Sequence, residues 1–113
     1  MSGEGGGGSE DSSGVALEFA WDPAKAESNL AKHGVAFTQG ATVFADALAL
    51  TVFDNEHSEF EERWFTLGVD SSAKLLAVSH TYTATGPASA RVRVISAREA
   101  TRNERRQYED EPR

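Results

Sequence analysis

The chain has 113 residues, 39% of them hydrophobic, which is enough for one small domain with a modest core. The absence of cysteine excludes disulfides and thiolate metal sites, and no apolar run has the length of a membrane span. The formal net charge of -7 argues against broad nonspecific binding to nucleic acid. Without a signal-peptide pattern at the N-terminus, we expect a cytoplasmic protein.

The chain begins with a segment that has almost nothing to bury. Residues 1–14 consist mainly of glycine, serine and acidic residues, which predicts a flexible tail. We therefore expect a single domain over residues 15–113.

The first predicted elements are a strand and two helices. Residues 17–21 alternate as a short strand does. A helix then begins at Asp22 and Pro23, an N-cap followed by a residue suited to the first helical position, and ends at Gly34. A second, shorter helix fits residues 38–45.

Three strands follow in the middle of the chain. They are predicted over residues 48–53, 63–68 and 74–82, with the acidic stretch 54–62 connecting the first two. Residues 83–90 include Gly-Pro and otherwise only small side chains, which predicts a mobile loop.

The last elements are a strand over residues 91–95 and a helix ending near Tyr108. Ser96 and Glu99 have the spacing of a capping box for that helix. The order β-α-α-β-β-β-α predicts an α+β domain with an antiparallel sheet of three to four strands packed by helices, the last three strands forming a meander.

Residues 91–106 hold six of the eleven lysines and arginines, a local site for anions on an acidic protein. Alternation places Arg91 and Arg93 on one strand face, where guanidinium groups can bind phosphate bidentately. For the arginines predicted on the helix, a solvated surface is the favoured interpretation. These are Arg98, Arg102, Arg105 and Arg106.

Other candidates are supported more weakly by the residues alone. His80 could exchange protons near neutral pH, the alternative being a hydrogen-bonded histidine at the rim of the core. Lys25 and His33 could hold a phosphate or donate a proton, or form an ordinary polar helix face. In the acidic stretch, a carboxylate of Glu61-Glu62 could act as a base, the alternative being a solvated acidic loop. Trp64 could stack on a nucleobase, the alternative being an anchor of the core. The three histidines are scattered, so no metal site and no cofactor are predicted.

Several blocks, in order, resemble the BrnT toxin family over about residues 17–110. The blocks are residues 19–37, 41–46, 62–68, 80–82 and 93–109. The resemblance implies a ribonuclease toxin of a type II toxin–antitoxin pair with a RelE-like fold. It also implies a ribbon-helix-helix antitoxin, BrnA, which carries the DNA-binding module. The complex would repress its own operon, and the toxin would contact DNA only through the antitoxin. The residues it favours are Lys25, His33, Arg63, Trp64, His80, Arg93 and Arg98.

The resulting hypothesis is cleavage of mRNA without a metal, in which the 2′-OH attacks the neighbouring phosphate. Arg93, with Lys25 or Arg91, would stabilise the developing charge. His80 is the first choice for proton transfer, with Lys25 or His33 as alternates, while Arg91, Arg98, Arg63 and Trp64 would bind RNA. The alternative is a catalytically degenerate module that acts only as antitoxin partner and co-repressor. A free-standing DNA-binding protein is disfavoured by the net charge.

Overall fold

The computed structural model describes residues 8–10 and 14–112. These residues form one mixed α+β unit, as predicted, with three helices and a single sheet. The strands are β1 (Gly8–Glu10), β2 (Ala16–Ala20), β3 (Leu50–Phe53), β4 (Trp64–Val69), β5 (Leu75–Gly86) and β6 (Ser89–Glu99). The helices are α1 (Pro23–His33), α2 (Phe37–Thr42) and α3 (Arg102–Asp110), and short 3-10 turns occupy Val43–Ala45 and Asn55–His57.

The sheet has the strand order β1-β2-β6-β5-β4-β3. Strands β3 to β6 form an antiparallel meander, which confirms the meander predicted for the last three strands. The predicted sheet of three to four antiparallel strands is wrong in two respects. The body of the sheet has five strands, with the short β1 added at one edge, and β2 pairs with β6 in parallel. This pairing joins distant parts of the chain, so no local pattern signals it.

Helix α1 begins and ends where the sequence predicts. The carboxylate of Asp22 accepts a hydrogen bond from the N–H of Ala24 at 2.9 Å, and Pro23 occupies the first turn. Gly34 closes the helix with φ 70°, a left-handed conformation that glycine adopts without strain. The buried Asn29 then fastens α1 to β6, because its amide donates to the carbonyl of Ala97 at 2.8 Å and accepts from the Ala97 N–H.

The two faces of the sheet are covered differently. Helices α1 and α2 pack on one face, the helix face, over the main core. The residues of that core include Leu17, Phe19, Trp21, Phe37, Leu76, Val78, Val92 and Val94. Helix α3 lies on the opposite face beside β3 and β4, where Leu67 is fully buried. No helix in the described part of the chain covers the β5–β6 half of that second face, which we call the open face.

The predicted mobile loop over residues 83–90 is wrong. Strand β5 continues to Gly86 and β6 starts at Ser89, so the two strands form a hairpin with a short connection. Ala84 pairs with Ala90, and the Thr85 hydroxyl donates to Ser89 Oγ at 2.9 Å. Small side chains and threonines suit a paired ribbon as well as a loop, and only Gly86 and Pro87 supply turn chemistry.

The predicted capping box of the last helix is also misplaced. Ser96 pairs with Ser79 and β6 runs on to Glu99, so Arg98 belongs to a strand. The helix begins at Arg102, and its capping box is formed by Thr101 and Glu104. Both pairs have the same three-residue spacing, and the long partner strand β5 decides between them because it continues pairing as far as Glu99.

The predicted flexible tail falls mostly on residues 1–7 and 11–13, which lie outside the described residues. Gly8–Glu10 forms β1, which pairs with β2. The domain boundary at residue 15 stays a prediction.

Candidate functional site

Four arginines lie on the open face of the sheet. Arg91, Arg93 and Arg98 project from β6, while Val92 and Val94 of the same strand are buried on the helix face. Arg63 immediately precedes β4 and lines the same face. Their side chains are between 31% and 56% exposed. We call Arg63, Arg91, Arg93 and Arg98 the open-face arginines; they are fixed by the sheet and remain accessible to an anion.

Glu61 connects two of these arginines. Its Oε1 accepts hydrogen bonds from Arg93 at 2.5 Å and from Arg63 at 3.4 Å. The hydrogen bond from Arg93, reinforced by the charges of both arginines, lowers the pKa of Glu61 although partial burial opposes the shift. Glu61 is therefore ionised at neutral pH, and its carboxylate presents an anionic oxygen to both guanidinium groups.

The other open-face arginines are paired as well. Arg98 binds Glu104 bidentately, at 2.7 and 2.9 Å, and this contact lowers the pKa of Glu104. Arg91 contacts Glu18 on the neighbouring β2 at 2.7 Å. A phosphate that binds here must compete with carboxylates of the same chain, and exposed ion pairs of this kind are weak enough to exchange.

A cavity of about 370 Å³ lies on the open face and is lined by two of its arginines, Arg63 and Arg98. Its walls are the segment after β3, with Asp54 and His57, and the β5–β6 surface, with Ser79 and Arg98. Nε of Arg63, which also lines the cavity, is buried and has no hydrogen-bond partner among the described residues. The arrangement combines guanidinium groups, hydroxyls and a carboxylate, the groups needed to bind a phosphodiester and move a proton.

His80 occupies a different environment. It is 1% exposed, and its ring packs edge-on against Phe44 at 4.9 Å. Its Nδ1 lies 3.0 Å from the carbonyl oxygen of Thr81, which can only accept, so Nδ1 carries the proton. Nε2 then accepts from the Thr66 hydroxyl at 2.8 Å. Burial lowers the pKa of His80 despite the bond to Thr81, so the neutral ring is favoured.

The sequence hypothesis places His80 beside Arg93, and the structure does not bring these two side chains together. Thr81 is the residue of β5 that pairs with Arg93, whereas His80 pairs with Val94 and Trp64 and lies on the helix face. Lys25 and His33 are exposed on α1, which packs on that same face. The open-face arginines thus form one site, and His80 and Trp64 belong to another part of the surface.

The carboxylate partners are the functional candidates that sequence reasoning found least well. Glu61 was considered only as one of two acidic residues of a loop. The sequence offers Glu104 only as a partner of arginines on a solvated helix face and gives no signal for Glu18. The pairing of β2 with β6 and the start of α3 are needed to place both beside arginines of β6. The three-residue spacing of Thr101 and Glu104 is the sequence pattern that could have identified Glu104, as part of the capping box of α3.

Comparison with known proteins gives one family. A model of the family described as "Ribonuclease toxin, BrnT, of type II toxin-antitoxin system" matches residues 21–104. The matched region contains all four open-face arginines, Glu61 and Glu104. No curated protein matches the chain significantly. None of the helices in the described part of the chain has the length and apolarity that a membrane span requires.

Proposed function

Because the chain belongs to the BrnT family of ribonuclease toxins of type II toxin–antitoxin systems, we propose that it cleaves mRNA at the open-face arginines. The observation that carries this proposal is the convergence of Arg63 and Arg93 on the single carboxylate of Glu61. A phosphodiester that replaces this carboxylate receives hydrogen bonds from both guanidinium groups. These bonds strengthen as negative charge develops on the phosphoryl oxygens.

In the proposed reaction the RNA 2′-oxygen forms a bond to phosphorus and the bond from phosphorus to the 5′-oxygen breaks. The products are a 2′,3′-cyclic phosphate and a 5′-hydroxyl, whose oxygen takes its proton from solvent water. Glu61 is our first choice to accept the 2′-OH proton. When the substrate phosphate takes over its arginines, Glu61 loses the contacts that lower its pKa and becomes a stronger base. The sequence-based alternates Lys25 and His33 lie on α1, which packs on the helix face, so we give them no part in this step.

His80 was the first sequence-based choice for proton transfer. To act on RNA at the open face it would have to leave both of its hydrogen bonds and the helix face. We therefore propose that His80 supports the fold of the site, a role that the pH dependence of stability in His80→Leu tests below.

The sharpest test compares Arg93→Ala with Arg102→Ala, an arginine of the exposed surface of α3. Purified protein is incubated with RNA in the presence of EDTA, and the cleaved ends are examined for cyclic phosphate. We expect Arg93→Ala to reduce the rate by about 10²–10³-fold and Arg102→Ala to keep it. Full activity in folded Arg93→Ala and Arg63→Ala proteins would contradict the assignment, and loss of wild-type activity in EDTA would contradict metal independence.

A second class of function is a degenerate toxin that only binds its antitoxin. The pairing of every open-face arginine with a carboxylate of the chain itself favours this alternative, because these groups are already satisfied. Expression without an antitoxin distinguishes the two. Growth arrest with RNA degradation supports the ribonuclease, and normal growth with a folded protein supports the binding module.

The family implies an antitoxin partner. We propose a BrnA-type ribbon-helix-helix antitoxin that forms a hetero-oligomer with the toxin in the cytoplasm and carries the contacts to operator DNA. The net charge of -7 makes the toxin itself a poor DNA-binding protein. An acidic antitoxin segment over the open-face arginines would exclude RNA by charge complementarity. The RelE-like character of the fold is part of the same proposal.

A further inference from the structure

A second cavity, of about 350 Å³, opens on the helix face of the sheet. Trp64 and Tyr82 line its sides, and Leu17, Phe44 and His80 lie at its base. The volume and the mixture of aromatic walls with a few polar groups are typical of a site for a small planar ligand.

The strand lengths explain why this cavity exists. Trp64 is the first residue of β4 and pairs with His80, so β5 has no β4 neighbour from Thr81 onward. Beyond that point the hairpin of β5 and β6 extends alone beside β2, and Tyr82 is 47% exposed. Trp64 is held from the other side by the ring of Phe53, with 4.9 Å between centroids at 75°. The two aromatic side chains are therefore available to stack on a flat ring.

A carboxylate lies at the edge of this cavity. Glu62 lines it, is exposed, and has no hydrogen-bond partner among the described residues. Glu62 follows Glu61 in the chain, while Glu61 contacts the arginines of the open face. The segment 61–62 thus joins the cavity to the proposed phosphate site around the end of β4.

We propose that this cavity binds an unstacked guanine base of the RNA substrate. An ionised carboxylate has two acceptor oxygens and no donor. The Watson–Crick edge of guanine presents two adjacent N–H donors, N1–H and the 2-amino group, which match those oxygens. Adenine and cytosine place an acceptor nitrogen beside their amino group, and uracil places its one N–H between two carbonyls. Recognition of splayed bases by stacking and by edge hydrogen bonds is the common mode for single-stranded RNA.

The inference rests on the proposed function, because a base enters the cavity only if the neighbouring phosphates occupy the open-face arginines. The inference adds selection of the RNA sequence, which the arginines cannot provide because contacts to phosphate carry no sequence information. Glu62 and Tyr82 would make the toxin select guanosine at one position near the cleaved bond.

The test measures binding separately from cleavage. The probes are fluorescent 2′-O-methyl uridine pentamers with guanosine, inosine or adenosine at the centre, which lack the attacking hydroxyl. Fluorescence anisotropy with the full chain should show guanosine bound roughly tenfold more tightly than inosine, which lacks only the 2-amino group. Glu62→Gln should abolish this ratio, whereas Glu59→Gln, an exposed glutamate of the same acidic stretch, should keep it. Tyr82→Ala should weaken all three probes, and Tyr82→Phe should not.

Equal affinity for guanosine and inosine in the wild-type protein, or an unchanged ratio in Glu62→Gln, would overturn the guanine site. Cleavage that depends on Arg93 but shows no base preference would leave the proposed function intact while removing this inference. A guanosine preference in a protein whose cleavage is unaffected by Arg93→Ala would leave the guanine site intact while removing the proposed cleavage site.

Discussion

At the scale of single residues, His80 and its neighbours form a continuous hydrogen-bonded chain through the sheet. Thr51 and Thr66 share a hydrogen bond of 2.8 Å, Thr66 donates to Nε2 of His80, and Nδ1 donates to the carbonyl oxygen of Thr81. Both ring nitrogens are used in the neutral form. Protonation of Nε2 would force the Thr66 hydroxyl to turn from donor to acceptor and would bury a charge beside Phe44.

This arrangement predicts a pH dependence of stability. Because burial lowers the pKa of His80 below its ordinary 6.5, the unfolded chain binds the proton more readily than the folded one. The histidine therefore contributes stability above about pH 6.5, and that contribution is lost as the pH falls through the lower folded pKa. In urea unfolding, the free energy of unfolding of the wild-type protein should fall between pH 8 and pH 5. The fall should be smaller in His80→Leu.

The matched control is His33→Leu, which changes an exposed histidine and should keep the wild-type pH profile. At pH 7 we expect His80→Leu to cost about 1–3 kcal/mol, since the Thr66 hydroxyl loses its acceptor. An identical pH slope in His80→Leu and the wild type would show that His80 is not held neutral by the fold.

At the scale of elements, α3 is attached to the rest of the molecule by polar contacts at both ends. At its start, Glu104 accepts from the Thr101 N–H at 2.8 Å and also binds Arg98 of β6. Near its end, the Tyr108 hydroxyl donates to Asp46 at 2.5 Å. The helix has no buried residue, so these contacts carry much of its attachment.

The capping box gives a test of the corrected start of the helix. Thr101→Ala should destabilise the protein by about 1 kcal/mol in urea unfolding, because the N–H of Glu104 loses its side-chain acceptor. Ser96→Ala should be nearly neutral, since Ser96 lies within β6 and has no capping role. The opposite ranking of the two variants would restore the original prediction of the helix start.

The elements show what a sequence can specify. Helix α1 was predicted to its caps because Asp22, Pro23 and Gly34 act locally. The ends of β5 and β6 were missed because they depend on pairing between the strands, which makes Ala84 and Ala90 strand residues in spite of their weak propensity. Arg91 and Arg93 are placed correctly on one face because alternation along a strand is a local pattern. The position of Arg98 depends on the continuation of β6, which no local pattern shows.

At the scale of the molecule, positive charge is concentrated on one surface, the open face of the sheet, although the chain as a whole is acidic. The chain has a net charge of -7, yet four arginines lie together on the open face. Three carboxylates, those of Glu18, Glu61 and Glu104, pair with these four arginines, so the pairs keep a net positive charge. Such a surface is selective for ligands that provide several phosphates at the right spacing.

Salt dependence measures how many phosphates the surface neutralises. For single-stranded RNA, the slope of log affinity against log salt is about -0.7 for each phosphate contact. We expect a slope between about -2 and -3 for the four open-face arginines. Arg93→Ala should make it less steep by about 0.7, and Arg102→Ala should leave it unchanged. Affinity independent of salt would mean that RNA binds elsewhere.

The position of β6 also determines when the toxin can first become active. This strand lies between β2 and β5 at the centre of the sheet, yet it is the last strand along the chain, at Ser89–Glu99. During synthesis, β2 has no parallel partner until β6 and its Arg93 have been translated. Such non-local pairing forms slowly. The proposed RNA-cleaving surface is therefore completed only after β6 has left the ribosome and paired with β2 and β5, which gives an antitoxin time to meet the folding toxin.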